Sequence, residues 1–250
     1  METNSQEASF LDHLEELRKR ILFSILWFAV FCIISYAFKN QILRFVVEPL
    51  EKIQKQPVFV SPVEPFFSII KLSLFSGFLL GFPFFLHQMY VFVKPALNSN
   101  HTKIFSLCLV SGTVLFYAGC ALSYYLIVPA GLKILFSFGS GIMMPMVTMN
   151  HYLTFFIWMT VILGILFQVP VIVVFLGITG VVSIQVLKRM RRFVYLLSFV
   201  IAAVITPTTD VITQTIIAVI FIFLYEISLL ILIVSVKRKV LKKENLSSES

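Results

Sequence analysis

Charge is what this sequence has least of. Only 32 of its 250 residues are charged, 20 Lys or Arg and 12 Asp or Glu, while 59% belong to the apolar and aromatic types. Soluble domains carry roughly 25% charged residues, and a globule of this size needs a polar shell that 13% cannot supply. A water-soluble fold is excluded, and the mean hydropathy of +0.97 marks a membrane protein. Cysteine is equally sparse. Cys32, Cys108 and Cys120 lie inside apolar runs without CxxC spacing, which excludes a disulfide framework and reads as small apolar packing. The four histidines, 13, 87, 101 and 151, form no HxxxH or HExxH pair, so no metal site is expected. No phosphate-cradling GxxxxGK[ST] and no GxGxxG is present, and no Ser/His/Asp or Cys/His set stands out. Neither an enzyme nor a cofactor is expected. Disorder is ruled out by what is abundant, 37 aromatic residues.

A helix needs about 20 apolar residues to cross a hydrocarbon layer of about 30 Å. Six apolar runs are present, at about 21–38, 66–93, 104–128, 152–178, 193–205 and 211–236. They are continuous and lack the ten-residue alternation of a barrel strand, so they read as helices. The second holds Pro83, where a tilt or kink is expected, and the fourth is interrupted by Pro170. The fifth has only 13 residues between Arg192 and Thr206. At 1.5 Å per residue that is about 20 Å, too short for the layer. Residues 131–141, GLKILFSFGSG, read as an outward loop with turn chemistry. The organisation expected is an N-terminal interfacial segment, 1–20, one all-α membrane domain, 21–236, and a basic tail, 237–250. The N-terminal segment carries acids and no small-residue cleavage site, so it does not read as a removable signal peptide.

Lys and Arg divide unevenly between the two sets of span ends. Fourteen flank the N-terminus, the second-to-third and fourth-to-fifth loops and the tail, against five on the other side. That bias predicts that both termini are cytoplasmic. It also accounts for the net charge of +8 through anionic lipid, without nucleic acid.

Polar groups at membrane depth are costly and usually functional. Lys71, Gln168 and Glu226 lie inside runs, with Glu64 and Asp210 at run ends. Lys71 has a stem long enough to snorkel, and Gln168 stands where it can satisfy a carbonyl freed by Pro170, but Glu226 is deep and short. In FLDHLEELRKRI, residues 10–21, Phe10, Leu14, Leu17 and Ile21 form one helical face. Asp12, Glu15 and Glu16 occupy the rest together with basic residues. Interfacial anchors are usually basic on the polar face, so acids beside anionic lipid call for a cationic partner.

These residues resemble a known family. The run His13-Leu14-Glu15-Glu16-Leu17-Arg18-Lys19-Arg20 is similar to the N-terminal signature of TatC, the multispanning receptor of the twin-arginine protein translocase. The resemblance continues through Glu48-Pro49-Leu50, Ser61-Pro62-Val63-Glu64-Pro65-Phe66-Phe67, Lys71, Pro83, Gln88, Phe92 and Pro95-Ala96-Leu97. Further on it takes in Phe116-Tyr117, Gly119, Pro129, Phe167-Gln168-Val169-Pro170, Thr206-Pro207, Asp210, Gln214 and Tyr225-Glu226. Each motif alone is weak, and the ordered set is strong.

The resemblance implies a concave six-helix cup with short fifth and sixth spans in the cytoplasmic membrane. It implies a receptor for twin-arginine signal peptides of folded cargo, working in several copies with TatA- and TatB-like single-span subunits and the proton-motive force. The family's recognition glutamate corresponds to Glu16, close to Arg18. Its second glutamate, after Pro-Ala-Leu, is replaced by His101 in PALNSNHTK, and residues 94–103 contain no acid. A neutral His101 or another carboxylate must serve, with Asp12 favoured over Glu15 because it lies one turn before Glu16 on the same face. Phe92 and Lys103 complete the expected binding set. Pro49, Glu64, Lys71, Gln88, Gln168, Asp210, Gln214 and Glu226 are expected in intramembrane polar or assembly roles. Gln168 stands where many relatives have a glutamate. A secondary transporter of a small solute is the competing reading, but no internal repeat supports it.

Overall fold

The computed structural model describes residues 2–94, 99–137, 146–206 and 211–248, and side chains within 13–94, 105–137, 146–206 and 211–235. Among the described residues the chain is helical, apart from one isolated parallel bridge between Val58 and Thr148. The helices are α1 (Glu2–Ala37), α2 (Lys39–Glu51), α3 (Glu64–Val93), α4 (Ser99–Leu122), α5 (Val128–Ser137), α6 (Met149–Leu166), α7 (Val169–Thr179), α8 (Ile184–Ile205) and α9 (Val211–Ser248). Among the described residues five helical stretches are long and apolar enough to cross a membrane: His13–Ala37, Glu64–Val93, Phe105–Ser137, Met149–Thr179 and Val211–Ser235. The expected fifth run, 193–205, is the apolar second half of α8, whose first half carries Lys188, Arg189, Arg191 and Arg192.

Two compact units emerge, Met1–Thr113 with Met146–Thr154, and Val114–Pro145 with Phe155–Ser250. In the first, α1 packs along α3 because α3 offers Gly77 and Gly81 four residues apart, a spacing that lets helix backbones approach closely. A Cβ at Gly77 would stand 2.5 Å from the Cys32 sulfur and 2.8 Å from the Cys32 backbone nitrogen. The other face of α1, with Leu22, Leu26 and Ile33, is exposed, as lipid contact requires. α2 is amphipathic and buries Val46, Val47, Pro49 and Leu50. The fully buried Tyr152 of α6 donates to the Val46 carbonyl at 2.5 Å, and the Val58 and Met149 amides close the bridge at 2.9 and 3.1 Å.

In the second unit α4 leads into α5 through a π turn, Ser123–Ile127. Gly119 lies against the Leu163 carbonyl and Gly164 against the Phe116 ring, so α4 and α6 meet at small residues. α6 and α7 are separate helices because Pro170, in the first turn of α7, has no N–H to continue the ladder. α7 ends on Gly180, whose φ of +79° supplies the left-handed cap, and Ser183 then caps α8 by accepting from the Val186 amide. Val173, Leu187, Tyr225, Leu229 and Leu232 form a core joining α7, α8 and α9.

One expectation needs correction. Residues 131–137 are not an outward loop: they continue helix α5, because LKILFS has helix-compatible residues and Gly131 packs against Phe155 instead of breaking the chain. Residues 138–141 lie outside the described residues. The helix expected over residues 10–21 feeds directly into the first span, since Glu2–Ala37 contains neither proline nor glycine and α1 runs through Ile21 unbroken.

Candidate functional site

Three polar clusters stand out in this apolar chain. The first lies near the N-terminal half of α1. Glu16 and Arg20 are four residues apart in the orientation that favours an ion pair on a helix. Arg20 grips a single carboxylate oxygen, Glu16 Oε1, with Nε at 2.8 Å and Nη2 at 2.6 Å. Its Nη1 donates to Gln88 Oε1 of α3 at 3.3 Å. One turn earlier His13 stacks on Phe92, ring centroids 4.4 Å apart and planes at 19°. Glu15 and Arg18 are exposed, so the partner of Glu16 is Arg20, not the neighbouring Arg18. The side chains of Asp12, His101 and Lys103 lie outside the described ones.

The second cluster sits where α3 and α6 begin, also within the first unit. Glu64 accepts from the Val60 amide at 2.9 Å and from the Asn150 amide at 2.8 Å. Lys71, two turns along α3, donates to Asn150 Oδ1 at 2.5 Å and to Thr154 Oγ1 at 3.4 Å. Asn150 thus ties a carboxylate and an ammonium together through its backbone and its side chain. Lys71 has polar partners inside the helix pair and is held there, which limits its freedom to snorkel.

The third cluster belongs to the second unit. Along α8, Leu187, Arg191, Tyr195, Ser198 and Ala202 recur at helical spacing on the less exposed face, while Phe193, Leu196, Val200 and Val204 point away. Glu226 of α9 meets that face. Its Oε1 accepts from the Tyr195 hydroxyl at 2.5 Å and its Oε2 pairs with Arg191 Nη2 at 3.0 Å. The Tyr225 hydroxyl donates to the Leu187 carbonyl at 2.7 Å, and Gln214 Nε2 to the Phe199 carbonyl at 3.2 Å. Four polar links thus join two apolar helices, and Glu226 is neutralised where it stands. Pro49 is buried within α2, and Gln168 occupies the joint between α6 and α7, its backbone N–H donating to the Ile165 carbonyl at 2.9 Å. Asp210 lies outside the described residues.

Sequence reasoning did not assign roles to Arg20, Asn150, Thr154, Arg191 or Tyr195. The spacing of Glu16 to Arg20 carried the signal for their ion pair, and that of Arg191 to Tyr195 put the two on one face of α8 without naming Glu226 as their shared partner. Nothing in the sequence placed Asn150 beside Lys71, 79 residues away.

Apolar helices of spanning length, with polar groups gathered between helix pairs and at helix ends, define a multi-pass, all-helical membrane protein. Residues 12–219 match the family of the Sec-independent protein translocase protein TatC. The chain belongs to that family. It is 34% identical over 235 residues to a Sec-independent protein translocase protein TatC of Koribacter versatilis, covering 90% of this chain and 86% of that one. A TatC of Aquifex aeolicus is 33% identical over 222 residues, covering 87% and 92%. A crystal structure of the twin-arginine translocase receptor TatC, in the detergent DDM, superposes with a TM-score of 0.78 at 33% identity, covering 88% of this chain and 98% of that one. The protein is a component of a protein translocase, and its bacterial relatives place it in the inner membrane.

Proposed function

We propose that this chain is the receptor and core subunit of a twin-arginine translocase. It binds twin-arginine signal peptides at the cytoplasmic face and passes folded cargo with TatA- and TatB-like partners, several copies together, at the expense of the proton-motive force. It performs no covalent chemistry and needs no cofactor. The observation that carries the reading is Glu16, a partly exposed carboxylate on α1 in the middle of the matched signature, held by Arg20 beside α3. A guanidinium is the natural ligand of such a carboxylate, because its fork of donors fits two oxygens.

In this reading α8 supplies the short fifth span and brings the total to six, both termini are cytoplasmic, and the six helices form a cup. The short wall thins the bilayer beside it and lowers the barrier to opening a path with partner helices. Asp12 supplies the second carboxylate in place of the loop glutamate that His101 replaces, since it stands one turn before Glu16 on the continuous α1. Glu15, Phe92 and Lys103 border the same site. Glu64, Lys71, Glu226, Gln214 and Asp210 act after binding, in assembly or transport.

Photocrosslinking from positions 16 and 101 to a twin-arginine precursor tests the reading. Adducts that disappear when both precursor arginines are changed to lysine are expected. Equal adducts with the two precursors would refute it.

A further inference from the structure

We propose that Arg20 is a built-in stand-in for the ligand's arginine, and that exchange of one guanidinium for the other makes the site choose arginine over lysine. The inference rests on Glu16 being a receptor carboxylate, as proposed above. Arg20 holds Glu16 by a single oxygen. Both of its donors fall on Oε1, at 2.8 and 2.6 Å, and Oε2 has no partner among the described residues. Glu16 and Arg20 are only 35% and 29% exposed, so an unpaired charge on either would be poorly hydrated at the edge of a bilayer. Before a ligand arrives, the pair neutralises itself.

An incoming guanidinium binds a carboxylate best through two parallel bonds, one to each oxygen. Among the described residues Oε2 is open and Oε1 is taken. To complete the fork, the ligand must remove Arg20 from Oε1. Gln88 is the acceptor waiting for it: its Oε1 already receives Arg20 Nη1 at 3.3 Å, a long bond with room to tighten. Exchange therefore breaks one guanidinium–carboxylate pair and forms another, no proton moves, and the displaced Arg20 gives up its counter-charge but keeps Gln88 as a hydrogen-bond acceptor. The gain is geometric, two oxygens engaged by two donors in place of two donors crowded on one oxygen.

A lysine ammonium cannot make the same exchange. It is a compact point charge without a planar fork, so it reaches Oε2 but leaves Arg20 seated on Oε1. The resident arginine thus penalises lysine more than arginine. Discrimination comes from the competitor as well as from the acceptor.

The test uses the full-length protein in membrane vesicles, with a twin-arginine precursor and two versions in which either arginine is lysine. Wild type, Arg20→Gln, Arg20→Lys, Gln88→Ala and Glu16→Gln are compared for binding. Arg20→Gln is expected to strengthen binding of the lysine version that addresses Glu16 by about tenfold, roughly one charge-assisted bond, while twin-arginine binding is kept or raised. Arg20→Lys retains the positive charge that topology needs and should fall between. Gln88→Ala removes the landing place and should weaken only the twin-arginine precursor. If both Arg20 variants leave the arginine-to-lysine ratio at the wild-type value, or lower binding of all precursors in parallel, the exchange is refuted. If Glu16→Gln binds the twin-arginine precursor normally, the receptor role of Glu16 itself is refuted, whatever the Arg20 variants do.

Discussion

Gly77→Ala is the substitution whose outcome the structure defines most sharply. The new Cβ would stand 2.5 Å from the Cys32 sulfur, 2.8 Å from its nitrogen and 2.9 Å from its Cα. Two of the three contacts are backbone atoms, which no rotamer change can move, so α1 and α3 must separate locally. Overpacking of this kind costs about 1–3 kcal/mol, and contacts this close belong at the upper end. Helix propensity acts the other way, since alanine gains about 0.8–1.0 kcal/mol over glycine in a helix. The packing cost wins, leaving about 1–2 kcal/mol of destabilisation, or about 2–8 °C in unfolding temperature for a chain of this size. Gly81→Ala is the internal control. Its Cβ would meet only the Phe31 ring, at 3.4 Å, so propensity prevails and stability should stay level or rise slightly. Adding Cys32→Ala to Gly77→Ala should recover part of the loss, because it removes the sulfur contact and leaves the backbone ones. The assay is thermal unfolding of detergent-purified protein followed by accessibility of the remaining cysteines. There is a functional corollary: Gln88 lies three turns from Gly77 on α3, and widening the helix pair should stretch its bond to Arg20. Parallel behaviour of Gly77→Ala and Gly81→Ala would refute the reasoning.

Three further outcomes are expected. Glu226→Ala should keep precursor crosslinking yet impair transport, because it removes the acceptor shared by Tyr195 and Arg191; normal transport by that variant would overturn the α8–α9 link as a functional element. Lys71→Met should lower thermal stability by about 1–3 kcal/mol by leaving the Asn150 side-chain Oδ1 without its donor, and Asn150→Leu combined with it should recover much of the loss in a double-mutant cycle; additive losses would exclude the pairing. Single cysteines at positions 5 and 247 of an otherwise cysteine-free chain should react with an impermeant thiol reagent only after the cells are opened, and labelling of intact cells would reverse the proposed topology.

Much of the architecture was legible because lipid imposes a simple rule. A chain must hide its backbone polar groups in helices, and long apolar runs reveal where. The runs at 21–38, 66–93 and 211–236 coincide with parts of α1, α3 and α9 for that reason. The extent of α5 was less legible, since Gly131 and Gly139 read as turn chemistry while tertiary packing against Phe155 keeps Gly131 helical. Among polar residues, depth alone singled out Glu226, and the structure supplies its partners. Arg191 was counted only as one of a basic cluster, because its role depends on which face of α8 meets α9. Spacing along one helix can be read from sequence; the pairing of helices across the chain cannot.

The π turn at Ser123–Ile127 carries an evolutionary consequence. The Val128 amide reaches back five residues to the Ser123 carbonyl, so one more residue is wound into this turn than an α-helix takes. Burial records the slip: Phe116, Gly119, Cys120 and Ser123 face inward before it, and Tyr124, Val128 and Leu132 carry the stripe on, displaced by one position. Pro129 follows at once, where in a regular helix its ring would press on the carbonyl four residues back. The turn is thus a place where the gene can gain or lose one codon without re-facing the helix on either side. A lineage that lost the codon would have to exchange the proline as well, which ties two sites together by inheritance.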